Sequence, residues 1–290
     1  MSLPLEPMYP LSVGLRRVSI RRRNRPDIQQ DVVVVEEPLQ ISVNGKSLVV
    51  TMRTPGHDRE LAAGFLWAEG VLTGPGQLMS LTGPSPSTPT GRIGGDTQIR
   101  VRDFAGDRID VTITEEVAGS VRARPEREFR ATAACGVCGK TEIADLQQDL
   151  PSISRIDTSP ALLEKLEHLP DRLRQAQKLF DATGGIHAAG IFDLEGQLLC
   201  AYEDIGRHNA VDKAIGHFVL LDHMPLSDHI LVVSGRAGFE LVQKALKAAI
   251  PLMVSVGAAS SLAVSMATEA GMALYSFAGP GKGNLHLKDE

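Results

Sequence analysis

From Thr183 to the C-terminus the hydrophobic pattern switches repeatedly between a period of two and a period of about 3.6 residues, which constrains the fold more than any other feature. "GIHAAGIFD" and "QLLCAYED" read as two strands joined at Leu194-Glu195-Gly196. "RHNAVDKAIGHFVLL" is helical, "HILVVSG" a buried strand and "FELVQKALKAA" a helix. "PLMVSVG" reads as a strand, "SSLAVSMATEAG" as a helix ending at Gly271, and "MALYSFAG" as the last strand. Strands alternating with helices of roughly 10–15 residues predict an α/β layer with parallel pairs.

Upstream, residues 31–53 alternate as strands do on either side of Asn44-Gly45, a strong hairpin signal. "HDRELAAGFLWAEGVL" places Leu61, Phe65 and Leu66 at helical spacing. "TGPGQLMSLTGPSPSTPTGRIGGD" reads as a loop, and "TQIRVRDF" with "RIDVTIT" as a second hairpin. A helix is expected from about Pro160 to Phe180 along a leucine stripe. The fold class is α/β (α+β overall). A β-rich N-terminal domain spans 1–130, a mobile Cys-x-x-Cys loop and connector 131–158, and an α/β domain 159–290.

The chain's 290 residues are 43% hydrophobic and 22% charged, ordinary for a soluble globular protein. Its net charge of −5 argues against nucleic acid as a general partner. The run "RRVSIRRR" (Arg16 to Arg23) is the local exception and reads as a solvated basic strand or arm. No stretch approaches the roughly 18 apolar residues of a membrane span, and the N-terminus has no secretory pattern. Three cysteines do not make a disulfide framework, so a cytoplasmic setting with reduced thiols is expected.

Two of those cysteines stand in "TAACGVCGKTEI", as Cys135-Gly136-Val137-Cys138. A structural zinc needs four ligands, usually a second cysteine pair or a histidine pair three to five residues apart. The third cysteine, Cys200, lies in an apolar strand pattern and the histidines are scattered, so no metal site of the chain's own is expected. Zinc deaminases place His-x-Glu before Pro-Cys-x-x-Cys. Here His187-Ala188-Ala189 lacks the glutamate and follows the cysteine pair. A redox dithiol remains open, because Arg130 and Lys140 supply the positive charge that favours thiolate. Gly136 and Gly139 favour a reachable tip over a rigid helix start. Sulfur carriage stands level with it: an exposed thiolate can hold sulfane sulfur as a persulfide, and a thiol two residues away can help release it.

Three further stretches bear on binding. "EDIGRHNAVDKAIG" crowds Glu203, Asp204, Arg207, His208, Asn209, Asp212 and Lys213 at a strand-to-helix junction. It reads either as ordinary helix ion pairs or as a ligand cluster at a strand end. Ser234-Gly235-Arg236 opens a strand–turn–helix passage shaped for anions. "SFAGPGKGNLH" is a Gly/Pro-rich tail that could equally be a frayed terminus.

Taken in order, "VNGKSLVVTMRTPGHDRELAAGFLWAEG", "TAACGVCGK", "GGIHAAGIFD", "YEDIGRHNAVDKAIG" and "SGRAGFELVQKA" resemble the formate dehydrogenase accessory sulfurtransferase (FdhD) family over about residues 31–282. The resemblance implies a cytoplasmic, homodimeric sulfurtransferase. It would take sulfur from a cysteine desulfurase and pass it to the bis-molybdopterin guanine dinucleotide molybdenum cofactor destined for formate dehydrogenase. It also implies a C-terminal domain similar to the three-layer cytidine deaminase fold. By position, Cys135 matches the persulfide cysteine and Cys138 its companion. Phe277-Ala278-Gly279-Pro280-Gly281-Lys282 matches the cofactor-contacting segment. Gly279 stands where that family usually carries an arginine, a place that Lys282 or Arg236 could fill. An anionic dinucleotide wants helix N-termini, arginine and lysine around a cleft. The expected binding set is completed by His187, Arg207, His208, Asn209, Asp212, Lys213, Ser234, Gly235 and Arg236.

Overall fold

The computed structural model describes residues 13–83 except 24 and 26, then 107–122, 153, 156 and 158–286. Its first element is an antiparallel ribbon of β1 (Leu15–Arg21) and β2 (Ile28–Val34), with Leu15 opposite Val34 and Arg21 opposite Ile28.

A small sheet follows, in the order β4-β3-β6-β5. The hairpin of β3 (Glu37–Val43) and β4 (Lys46–Arg53) turns at Asn44 (φ 48°) and Gly45 (φ 77°), the two positive φ values that an Asn-Gly turn supplies. The run read as one alternating segment over 31–43 divides between β2 in the ribbon and β3 in this sheet. Strand β6 (Arg108–Ile113) runs parallel to β3 and antiparallel to β5 (Leu78–Thr82).

Strand β5 corrects the loop expected there. The Gln77 side chain accepts from the N–H groups of Thr73 (2.7 Å) and Gly74 (3.0 Å), which closes the Gly-Pro-Gly turn, and β6 supplies the strand's backbone partners. "TQIRVRDF", the expected first arm of a second hairpin, lies outside the described residues. A helix not expected from sequence, α2 (Glu115–Arg122), continues from β6; the helix before β5, α1 (Asp58–Ala68), falls where its spacing predicts.

The larger sheet has the order β12-β11-β10-β9-β7-β8. Strands β7 (His187–Asp193) and β8 (Leu198–Asp204) form the expected hairpin, and β7 runs antiparallel to β9 (His229–Val233). The parallel pairs are β9 with β10 (Leu252–Ser255) and β10 with β11 (Ala273–Gly279). The intervening helices are α5 (Arg207–Leu220), α6 (Phe239–Lys247) and α7 (Ser261–Ala270). The tail is paired rather than frayed: β12 (Lys282–His286) folds back antiparallel on β11. The fold is mixed α/β, α+β overall.

Successive strand residues face opposite layers, as a period of two requires. Ala188, Phe192, Ile230, Val232 and Val254 meet Leu166, Leu169 and Leu173 of α3 (Pro160–Ala176). Ala189, Ile191, Leu231, Val233 and Met253 face the α5–α7 side. Ser159 caps α3, its side chain accepting from Leu162 N–H at 3.4 Å. The helix expected to reach Phe180 stops at Ala176, and a short α4 (Lys178–Thr183) starts anew. The break is set from β8, where the Glu203 carboxylate accepts the N–H groups of Leu179 and Phe180, both at 2.8 Å.

One apolar core runs from Leu39, Ile41 and Val111 of the small sheet through Leu61 and Leu66 of α1 to Val211 and Ile215 of α5. The α1–α5 crossing is close because it is lined by glycine from both sides. A β-carbon on Gly64 would lie 1.8 Å from the Asp212 carbonyl oxygen, and one on Gly216 would lie 1.8 Å from that of Glu60.

Candidate functional site

The C-terminal ends of β9, β10 and β11 share one edge of the large sheet with the start of β7 and the end of β8. Open α/β sheets place ligands at such an edge. Two backbone bonds join its loops: Gly257 N–H donates to Gly235 O (2.9 Å), and Phe277 N–H donates to Gly257 O (3.2 Å). Gly235 packs beside the His187 ring, where a β-carbon would stand at an ordinary contact distance of 3.4 Å from Nδ1. Gly257 leaves space for the Arg236 stem, since a β-carbon there would stand 3.0 Å from Cγ.

Helix α5 opens at Gly206 without a side-chain cap, which leaves its first N–H groups for another acceptor, whereas at the start of α6 the Glu240 carboxylate accepts its own backbone N–H and Leu241 N–H donates to Gly238 O (3.1 Å). Helix α7 differs, because Ser260 accepts from Ala263 N–H at 3.3 Å. Arg236 is exposed and Arg207 and His208 are half-buried in the loop and first turn that face this edge. Burial, seconded by the charge of Arg207, holds the His187 imidazole below its ordinary pKa, so it is neutral near pH 7. Burial alone would raise Glu240, but His208, with Nε2 at 3.8 Å from Oε2, together with the Glu240 backbone N–H and the charge of Arg207, outweighs it and holds the carboxylate below its ordinary range.

The β11–β12 hairpin completes the edge. Its register shifts between Ser276 and Gly279, and Phe277 in that bulge takes a φ of 54° and remains 49% exposed. An exposed aromatic in a left-handed conformation is strain of a kind concentrated at binding sites. From α3, the Glu167 carboxylate accepts Gly281 N–H (2.8 Å) and the Tyr275 hydroxyl (3.4 Å). The Lys282 stem lies over Gly279, where a β-carbon would be 2.8 Å from Cε. Lysine thus fills the space that a side chain at Gly279 would need.

Several expected ligand contacts belong to the interior instead. Asp204 and Lys213 form an ion pair at 2.7 Å with side chains 0% and 1% exposed. Lys213 also donates to Thr54 O (3.0 Å) and Glu203 O (3.3 Å). Asp204 accepts the N–H groups of Thr54 and Gly206 and the Asn209 amide, and that amide donates to Met52 O at 2.7 Å. Asp212 pairs with Lys244 of α6 at 2.7 Å. Asn209, Asp212 and Lys213 thus lie in the interior and tie neighbouring elements together. Ala278 is likewise turned into the α3 layer, and Ser234 Oγ is taken by Ala188 N–H at 2.9 Å.

His187, Arg207, His208, Gly235, Arg236, Phe277 and Lys282 remain at the edge, with Pro280 and Gly281 in its exposed hairpin turn. Gly257 and Glu167 were missed. For Gly257 a signal existed: "VSVGAASS" repeats the strand–glycine–helix grammar of "VVSGRAGF". Cys135 and Cys138 lie outside the described residues. Cys200 is buried, which pushes its thiol up to about 12 and keeps it protonated. No described helix is long and apolar enough to cross a membrane.

These features define an α+β protein with a glycine-lined strand edge that carries arginine and lysine beside the uncapped start of α5. The sequence pattern of the FdhD/NarQ family matches residues 34–290, and the chain belongs to that family. It is 43% identical over 263 residues to a protein of Corynebacterium efficiens named sulfur carrier protein FdhD, covering 90% of this chain and 91% of that one. A protein of the same name from Sulfolobus acidocaldarius is 36% identical over 264 residues, covering 90% and 91%. The crystal structure of a Desulfotalea psychrophila protein described as a formate dehydrogenase accessory protein superposes with a TM-score of 0.65 at 20% identity, covering 95% and 97%, a likeness of fold.

Proposed function

We propose that the protein is a cytoplasmic sulfur carrier that loads sulfur onto a molybdenum cofactor destined for formate dehydrogenase. The observation that carries this reading is 43% identity, over nine-tenths of both chains, to a protein named as a sulfur carrier. In the loading step, the Cys135 thiolate attacks the outer sulfur of a persulfide on a cysteine desulfurase. The donor leaves as its thiolate and Cys135 holds the persulfide. In the release step, the Cys138 thiolate attacks the inner sulfur, forming the Cys135–Cys138 disulfide and expelling the outer sulfur as hydrosulfide at the metal. A cellular dithiol then reduces the disulfide.

The cargo is bis-molybdopterin guanine dinucleotide, an anion with planar rings. Arg207, Arg236 and Lys282, with the first N–H groups of α5, suit its phosphates. Exposed Phe277 offers a face for stacking, and neutral His187 can donate or accept a hydrogen bond. Lys282, lying over Gly279, takes the role of the arginine that the family resemblance places there. The working protein is a homodimer in this proposal.

The test is client activity in cells whose only copy carries Cys135→Ala. The expected result is a soluble, folded variant with formate dehydrogenase inactive; an active client would overturn the proposal.

A further inference from the structure

The β1–β2 ribbon belongs to neither main sheet and carries six exposed arginines, at 16, 17, 21, 22, 23 and 25, against Asp27 and Asp31, in a chain whose net charge is −5. Among the described residues only Arg16 of these six is held in an ion pair, with Glu37 at 3.4 Å. Apolar groups are interleaved: Ile28 is 69% exposed opposite Arg21, and Val33 is 40% exposed opposite Arg16. An isolated two-stranded ribbon is marginal in water, and among the described residues this one is held at its base and where β2 packs against α4. Val35 N–H donates to Gly14 O (2.9 Å), and Gly14 is wedged against Leu179 of α4 and Thr54.

That base adjoins the candidate site. Thr54 is bonded to Asp204 and Lys213, and the chain leads from Asp204 through Gly206 directly to Arg207. A partner gripping the ribbon is therefore tethered, through that base, to the strand end that leads into the candidate site, with the arginine-rich turn one strand length, about 20 Å, away.

We propose that the ribbon is a docking arm for an acidic face of the client dehydrogenase, holding it where cargo leaves the strand edge. This rests on the sulfur-carrier reading. Arginine mixed with exposed aliphatic groups is the composition of a protein interface, and the exposed Ile28 and Val33 would add nothing to a grip on a bare phosphate backbone. The ribbon's position favours the client over the sulfur donor, because the client must meet the edge where cargo sits and the donor needs only the cysteine stretch. Arginines along free strand edges also prevent uncontrolled strand pairing, so the grip is through side chains.

The experiment measures association of the full chain with purified, cofactor-free formate dehydrogenase, at low and high salt. Steering by complementary charge raises association rates and fades with ionic strength. The variant Arg21→Glu/Arg22→Glu/Arg23→Glu is expected to associate about ten-fold or more slowly at low salt and to converge with wild type at high salt. Its melting temperature and its sulfur uptake from desulfurase should be unchanged. Arg21→Lys/Arg22→Lys/Arg23→Lys is expected to retain near wild-type association, which separates charge from folding.

An unchanged rate in the glutamate variant overturns the proposal. Loss of sulfur uptake with unchanged dehydrogenase association overturns it in favour of the donor. Tight binding of a short single-stranded RNA, abolished in the glutamate variant, overturns the protein assignment. Association is read directly, so wild type that docks yet never takes up sulfur would refute the carrier reading and leave the arm standing.

Discussion

The Lys213 ammonium sits 2.7 Å from the Asp204 carboxylate with both side chains shut away from water, and the pair clamps the Thr54 backbone from its N–H and its carbonyl. Through it, the turn after β4 is fixed to the strand end that opens the candidate site. Removing one partner of a buried pair leaves an uncompensated charge and costs about 3–5 kcal/mol. Lys213→Met should lose stability on that order in urea denaturation. Lys213→Met with Asp204→Asn should recover a large part of the loss. A single-variant loss under about 1 kcal/mol would contradict a clamp of this kind.

The reciprocal glycines of the α1–α5 crossing give a second prediction. Gly64→Ala and Gly216→Ala each place a methyl group 1.8 Å from a backbone carbonyl oxygen, which the helices can accommodate only by moving apart. Overpacking of that kind costs about 1–3 kcal/mol, opposite in sign to the gain expected for alanine in a free helix. Thermal melting should show both variants destabilised; a raised melting temperature in either would contradict the packing.

At the strand edge, Arg236→Ala and Lys282→Ala should weaken binding of guanosine diphosphate, a soluble stand-in for part of the cargo. A loss of about ten-fold each, roughly 1.4 kcal/mol, is expected in calorimetric titration with melting temperature unchanged. Lys213→Met shifts stability instead. Affinity that is indifferent to both edge residues would remove them from the site.

Half-buried His217 predicts a pH dependence. Burial holds His217 below its ordinary value of 6.5, while its Nδ1 lies 2.9 Å from the Tyr202 hydroxyl. With a lowered folded pKa, the unfolded chain binds the proton first as pH falls. Stability present above about pH 6.5 is therefore lost on descent through the folded value. Glu203 and Asp212, raised by burial, act in the opposite sense, so the informative quantity is a difference. The fall in urea midpoint between pH 7.5 and 5.5 should be shallower for His217→Gln than for wild type. A steeper fall in the variant would contradict the assignment.

Much of the fold was legible where one rule acts alone. Asn44-Gly45 can hardly be anything but a tight turn, and the strand–helix alternation from His187 to Gly279 follows from hydrophobic period. Strand β5 was hidden because "LMSLT" is short, sits among glycines and prolines, and gains its identity from β6. The break before α4 was hidden because its cause, Glu203, lies 24 residues downstream of Leu179.

The site was partly legible for a similar reason. Charged residues beside strand-end glycines, Arg236 and Arg207, do face the edge. Asn209, Asp212 and Lys213 carry the same chemical signal, but α5 is covered by the sheet on one side and by α1 on another, so nearly all of its faces are buried. Residue type announces a polar group; only packing decides whether it meets a ligand or a neighbouring element.

The most direct test of the central claim is the intact mass of wild type and Cys135→Ala after incubation with cysteine desulfurase and cysteine, before and after reductant. Wild type should gain one sulfur that reductant removes, and Cys135→Ala should gain none. No gain in either protein, with wild type losing only two hydrogens on oxidation, would contradict sulfur carriage and leave a redox dithiol on this fold.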